Sequence, residues 1–161
     1  MKVIRLLTAV AGIASVLSLQ APEQALGAQG DPELILYRFP GVFDNGIGAG
    51  FGVATVFHCT NFSGVTETMR IVIRDIFAGV VANFPASLPH LRTLTFTTHA
   101  VSLYSSQTVL LTGPVSSGTA AIAATSTSVV CTAMTIDAAA SSPQGIALHG
   151  IRFNPVPGSQ E

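Results

Sequence analysis

Residues 46 to 60 read Gly-Ile-Gly-Ala-Gly-Phe-Gly-Val-Ala-Thr-Val-Phe-His-Cys-Thr, and this stretch decides the fold. Side chains of a β-strand point alternately to opposite faces, so every second residue shares a face. One face here carries Ile47, Ala49, Phe51, Val53, Thr55, Phe57 and Cys59, and the other carries the glycines, Ala54, Val56 and His58. The alternation predicts one long strand, apolar on one side and nearly bare on the other. Another backbone or an aromatic ring is expected to pack closely against the bare side.

The predicted strand ends close to Cys59, and the only other cysteine of the chain is Cys131. Two cysteines in an exported protein are expected to pair as a disulfide. We expect this bond to join two facing layers of the fold, with two separate buried thiols as the alternative. A catalytic Cys59 activated by His58 is excluded, because neighbouring residues of a strand point to opposite faces.

The first residues of the chain indicate export. Lys2 and Arg5 precede an apolar run, and Ala25-Leu26-Gly27 offers a small-x-small cleavage site, which is the pattern of a secretory signal peptide. We therefore expect a signal peptide at 1–27 and a single domain at 28–161, with flexible ends at 28–33 and 154–161. The apolar run of about 14 residues is shorter than the roughly 20 that a membrane span needs, so an uncleaved anchor is the less favoured alternative. A secreted or periplasmic protein with no membrane span in the mature chain is expected.

Composition limits the partners of the mature chain. Removing Lys2, Arg5 and Glu23 leaves five of the seven basic and seven of the eight acidic residues, a net charge of −2. Five scattered arginines form no basic patch, so nucleic acid is not an expected partner. Lys2 is the only lysine, so the mature chain has no lysine side chain for Schiff-base chemistry or for a phosphate-binding loop.

Turn signals about every ten residues separate roughly eight or nine short strands, and no convincing helix remains once the signal peptide is removed. Beyond the first stretch, strands are expected at 34–39, 68–77, 92–100, 118–124, 128–136 and 145–153, with shorter apolar segments at 80–84 and 108–112. The pattern is typical of an all-β, antiparallel two-sheet β-sandwich, with a small β-barrel as the alternative. Two cysteines about 70 positions apart resemble the inter-sheet bridge of immunoglobulin-like domains, although the tryptophan that packs on that bridge is missing.

No motif of a known catalytic, metal or cofactor site occurs, so no enzyme activity, metal or cofactor is expected. Weak candidates for a ligand-binding face are Thr93, Thr95 and Thr97, which form a row of hydroxyls, and His99 at the end of their strand. Asp75 falls on the apolar face of strand 68–77, where a carboxylate is costly unless it is paired. Asp75 is thus either a general base or a residue with an arginine partner or at a strand end.

These features predict an exported, non-enzymatic structural or interaction module of the cell envelope or extracellular space, with a protein or glycan partner. One alternative is a small-ligand or carbohydrate carrier, in which the glycine-lined face accommodates a flat molecule. A third hypothesis is a hydrolase that uses Asp75 with a histidine. The glycosylation pattern Asn61-Phe62-Ser63 is interpreted as a chance occurrence.

Overall fold

A computed structural model describes residues 33–46, 48–142 and 144–153. The predicted signal peptide, most of the lead-in and the end after Phe153 lie outside the described residues. The described chain forms ten strands and no helix, and therefore contains no helix long and apolar enough to cross a membrane. The strands are β1 (Leu34–Asp44), β2 (Val53–Asn61), β3 (Glu67–Arg74), β4 (Val80–Leu88), β5 (Thr93–Thr97), β6 (Thr108–Val109), β7 (Val115–Ala124), β8 (Val129–Asp137), β9 (Gly145–Leu148) and β10 (Ile151–Arg152).

The strands form two five-stranded sheets, which confirms the predicted sandwich. Sheet A has the order β10-β1-β7-β3-β4 and is antiparallel throughout. Sheet B has the order β6-β5-β2-β8-β9, with β5 and β6 parallel and the other pairs antiparallel. Alternate residues of both sheets meet in one apolar core, whose largest fully buried side chains include Phe39, Phe57, Phe96, Ile71 and Ile122.

The stretch 46–60 is not one strand, and this prediction was wrong for its first half. β1 continues to Asp44 and β2 begins only at Val53, and the described residues between them, 45–46 and 48–52, form a connection that we call the glycine loop. Its glycines at 46, 48, 50 and 52 have φ angles of 67°, 115°, 73° and 75°, a region of backbone space that other residues rarely adopt. The alternate glycines therefore lie in a loop that connects the two sheets. The residues from Val53 onward form β2, as their alternation predicts.

The disulfide between Cys59 and Cys131 is confirmed, but its expected position is wrong. The two residues face each other in the register of β2 and β8, with their Cα atoms 4.2 Å apart. β2 and β8 are neighbours within sheet B, so the bond links adjacent strands of one layer. The resemblance to the inter-sheet bridge of immunoglobulin-like domains thus does not extend beyond the spacing.

The strand predicted at 145–153 is divided between the two sheets. β9 pairs with β8 in sheet B, and β10 pairs with β1 in sheet A, so the chain crosses the sandwich at His149-Gly150. A side chain at Gly150 would lie 2.2 Å from the ring of Phe39. Glycine is therefore required where the crossing backbone passes this core ring.

Part of the outer face of sheet B is covered by the chain itself. Residues 98–107, which we call the covering loop, follow β5 and place Val101, Leu103 and Tyr104 on a second apolar cluster that includes Val56. Val56 is fully buried as a result. Strand β5 ends at Thr97, earlier than the predicted Ala100, because the chain leaves the sheet there to form this cover.

Candidate functional site

Several loops meet at one end of the sandwich, which we call the loop end. The last residue of β1, Asp44, pairs with the first residue of β7, Val115, and the β3–β4 turn follows Arg74 beside β7. The glycine loop and the covering loop leave the sheets at this same end. The loop end therefore gathers segments that are far apart in the sequence, as in many binding domains.

A cavity of about 240 Å³ opens at the loop end, between the glycine loop and the segment around β6. The residues that line it are mostly small or aliphatic. They are Asp44, Gly46, Gly48, Ala49, Thr98, His99, Ala100, Val109, Leu111 and Gly113. Only Asp44 and His99 among them carry ionisable side chains.

Asp44 and His99 form a buried pair on one side of this cavity. Nδ1 of His99 lies 2.7 Å from Oδ2 of Asp44, and Nε2 donates to the carbonyl oxygen of Phe51 at 3.0 Å. A carbonyl oxygen can only accept a hydrogen bond, so Nε2 of His99 carries a proton. The short contact between Nδ1 and Oδ2 requires a second proton between these two atoms. Whichever partner holds that second proton, the pair as a whole has no net charge.

The pair also fixes the glycine loop. Oδ1 of Asp44 accepts from the backbone N–H of Gly46 at 2.7 Å, and His99 holds the carbonyl of Phe51 at the far side of the loop. A third bond runs from the N–H of Gly50 to the carbonyl of Ala100 at 2.7 Å. The loop is thus attached to the body of the protein at both ends and in its middle.

The three predicted threonines lie together on the outer face of sheet B, but their hydroxyls are engaged by the chain itself. The hydroxyls of Thr93 and Thr60 are 2.7 Å apart, and Thr95 Oγ1 lies 3.0 Å from Nδ1 of His58. Thr97 is fully buried and donates to Gln107 in the covering loop. The row of hydroxyls is therefore largely an internal network beneath and beside the covering loop.

Of the other two candidates, His99 lines the cavity and Asp75 does not. Strand β3 ends at Arg74, so Asp75 is not on an apolar strand face but begins a tight turn. Its Oδ1 accepts from the N–H groups of Phe77 and Gly79 at 2.9 and 2.8 Å. This carboxylate stabilises the turn, which corresponds to the strand-end alternative.

Sequence reasoning missed Asp44, the acid that contacts a histidine. In the sequence Asp44 belongs to Phe43-Asp44-Asn45-Gly46, a pattern that predicts a turn because Asn-Gly tolerates positive φ. It lies two residues after the fully buried Val42 and is itself only 2% exposed, so it continues the inward face of β1. Its position two residues after Val42, on the same face of the strand as the buried apolar residues, is the sequence signal that could have predicted a buried acid.

The remaining histidines lie apart from this pair. His58 lies under Tyr104 of the covering loop, with Nε2 3.2 Å from the hydroxyl, and burial lowers its pKa below the ordinary value. His90 Nδ1 accepts from the N–H of Gly64 at 3.0 Å, and His149 is exposed. The described part of the chain holds no group of three or more His, Cys, Asp or Glu residues placed to bind a metal ion.

The glycosylation pattern at Asn61 falls on a buried side chain. Nδ2 of Asn61 donates to the carbonyls of Val65 and Leu88 at 2.7 and 2.8 Å, and Oδ1 accepts from the N–H of Ser63. The side-chain nitrogen that would carry a glycan thus lies inside the protein.

Comparison with models of known protein families, with curated proteins and with solved structures finds no match.

Proposed function

We propose that this protein is an exported, non-enzymatic β-sandwich that acts as a structural or interaction module and that contacts its partner through the loop end. The disulfide and the absence of a spanning helix among the described residues are compatible with a location outside the cytosol. The partner class is a protein or glycan of the cell envelope or extracellular medium.

The observation that carries the proposal is the exposure of large apolar side chains from three loops of the loop end. Phe51 is 63% exposed on the glycine loop, Leu111 79% after β6, and Phe77 89% in the β3–β4 turn. Exposed apolar side chains also occur at the opposite end, at Phe62 and Leu91, but those at the loop end adjoin a cavity that Leu111 lines.

The chemistry of the Asp44–His99 pair supports a role without catalysis. A histidine that acts as a general base needs one ring nitrogen free to face a nucleophile. Both ring nitrogens of His99 are engaged, one by a carboxylate and one by a backbone carbonyl. The pair is therefore suited to hold the glycine loop in place.

A pair of matched double variants tests the proposal. Phe51→Ser with Leu111→Ser removes apolar surface from the loop end, and Phe62→Ser with Leu91→Ser does the same at the opposite end. The control residues Phe62 and Leu91 are 55% and 64% exposed. Leu91 and Leu111 both have a positive φ, of 58° and 53° respectively. The two changes are thus similar in chemistry and in backbone strain.

The measurement is quantitative capture of components from the envelope fraction or medium of the source cells. We expect the loop-end variant to lose the captured partner at least tenfold, whereas the control variant retains it. The proposal is wrong if the wild-type protein enriches no component, or if only the control variant loses it.

A further inference from the structure

We propose that the cavity at the loop end is a binding site for a small, uncharged and mainly apolar molecule of about single-ring size. This goes beyond the proposed contact with a macromolecular partner, because it assigns a separate ligand class to the cavity itself, whose lining includes the exposed Leu111.

The size and the walls of the cavity limit the ligand. The volume of about 240 Å³ is below the range of roughly 300–1,000 Å³ that is typical of sites for drug-sized molecules. Five of the lining residues carry methyl groups, namely Ala49, Thr98, Ala100, Val109 and Leu111, and the glycines add backbone without side chains. A compact apolar molecule would replace water on these walls, which is favourable in proportion to the area covered.

The charge of the described lining selects against ions. Asp44 and His99 share their protons so that the pair is neutral, and both carboxylate oxygens already accept hydrogen bonds. An anion would find no cationic side chain among the described lining residues except His99, and Asp44 already offsets any charge on that ring. A cation would find no unpaired carboxylate oxygen, so either charged ligand would lose its hydration without a counter-charge.

The cavity is also held open before any ligand arrives. The glycine loop is fixed through Gly46, Gly50 and Phe51, the last by the bond from His99. A site that is already ordered loses little conformational entropy when a ligand binds. A small apolar molecule, which makes few contacts, is therefore expected to bind here with measurable affinity.

Three probes of nearly equal shape test the charge selection. The full-length chain, with its disulfide formed, is labelled with ¹³C on the methyl groups of alanine, valine and leucine. It is titrated at pH 7 with benzyl alcohol, benzoate or benzylammonium. We expect benzyl alcohol to shift the methyl signals of Ala49, Ala100, Val109 and Leu111, with at least tenfold weaker effects from both ions. The inference is overturned if an ion binds as tightly as the alcohol, or if these signals do not respond to the alcohol.

Variants then locate the site. Val109→Phe fills the cavity, and Ala49→Leu narrows it from an exposed loop position that is not part of the core. Val130→Phe is the matched control, because Val130 is an exposed residue of β8 outside the cavity lining. Both cavity variants are expected to bind benzyl alcohol at least tenfold more weakly, and the control within twofold of the wild type. If Val109→Phe does not fold, Ala49→Leu alone decides, and wild-type affinity in that variant contradicts the proposal.

Discussion

Opening the bond between Cys59 and Cys131 is expected to lower the free energy of unfolding by about 4 kcal/mol. The bond joins residues 72 positions apart, so it removes a large loop from the unfolded ensemble. The loop-closure relation gives an entropy of about 15 cal/mol/K for a loop of that size, or about 4 kcal/mol at 25 °C. The two cysteines already face each other in the β2–β8 register, so the folded strands need not move when the bond is absent.

Urea unfolding followed by far-ultraviolet circular dichroism measures this effect. The oxidised protein is compared with the protein in excess reductant, which keeps both sulfur atoms in the core, and with the double variant Cys59→Ala/Cys131→Ala. With a urea dependence of about 1.5 kcal/mol/M, the midpoint should fall by roughly 2 to 3 M on reduction. The double variant should not respond to reductant. A loss smaller than about 1 kcal/mol on reduction would refute the reasoning, because the bond would then restrict little in the unfolded chain.

Three further outcomes follow from the buried polar groups. The free energy of unfolding of Asp44→Asn should stay within about 1 kcal/mol of the wild type, because the amide can accept from Gly46 and donate to Nδ1 of a neutral His99. Asp44→Ala should lose about 3 kcal/mol of unfolding free energy. Urea unfolding measures both variants, and equal losses in the two would contradict this expectation. Burial lowers the pKa of His58 from its ordinary value of 6.5, so its contribution to stability is complete above pH 6.5 and is lost as the pH falls below it. The urea midpoint, plotted against pH between 7 and 5, should therefore have a smaller slope in His58→Gln than in the wild type. An unchanged slope would exclude His58 as its source. When the chain is expressed in a eukaryotic secretory pathway, mass spectrometry should find Asn61 without a glycan on the folded protein, and Asn61→Asp should cost about 2 kcal/mol because two buried carbonyls lose their donor.

Much of the fold could be predicted because it depends on alternation within single strands. Thr68–Arg74 alternates buried and more exposed residues as expected, and Ser128–Ile136 corresponds to β8 within one residue at each end. A one-residue shift in such a strand would turn its apolar face to water, so the pattern fixes which side chains enter the core. The disulfide pairing was predictable for the simpler reason that the chain offers only two cysteines.

The glycine loop could not be predicted in the same way, because a row of alternate glycines has the period of a strand without its side chains. Gly46 illustrates the difference: its φ is positive, and a side chain there would meet Pro114 at 2.5 Å, a residue distant in sequence. The candidate site depends on equally distant partners, since Asp44 and His99 are 55 positions apart. Neither residue belongs to a motif, and their segments meet through Thr55 of β2, whose hydroxyl bonds to the backbone of Phe43 and whose own backbone bonds to Thr98.

The layer joined by the disulfide was mispredicted for a related reason. Cysteine spacing along a chain does not distinguish a bridge between sheets from a bridge within one sheet, because both kinds connect strands that are distant in sequence. What distinguishes them is whether the two strands are neighbours, and here Cys59 lies opposite Cys131 in the β2–β8 register. Phe57 and Cys59 face the core, whereas Val56 and His58 face outward under the covering loop. Sheet B thus has apolar residues on both faces of β2, and its outer face needs a cover that a two-sheet pattern alone does not include. The covering loop meets that need with Tyr104 and its neighbours, and the same segment leads from His99 to β6. The covering loop therefore both buries the outward face of β2 and carries the chain to the segment around β6 that lines the cavity.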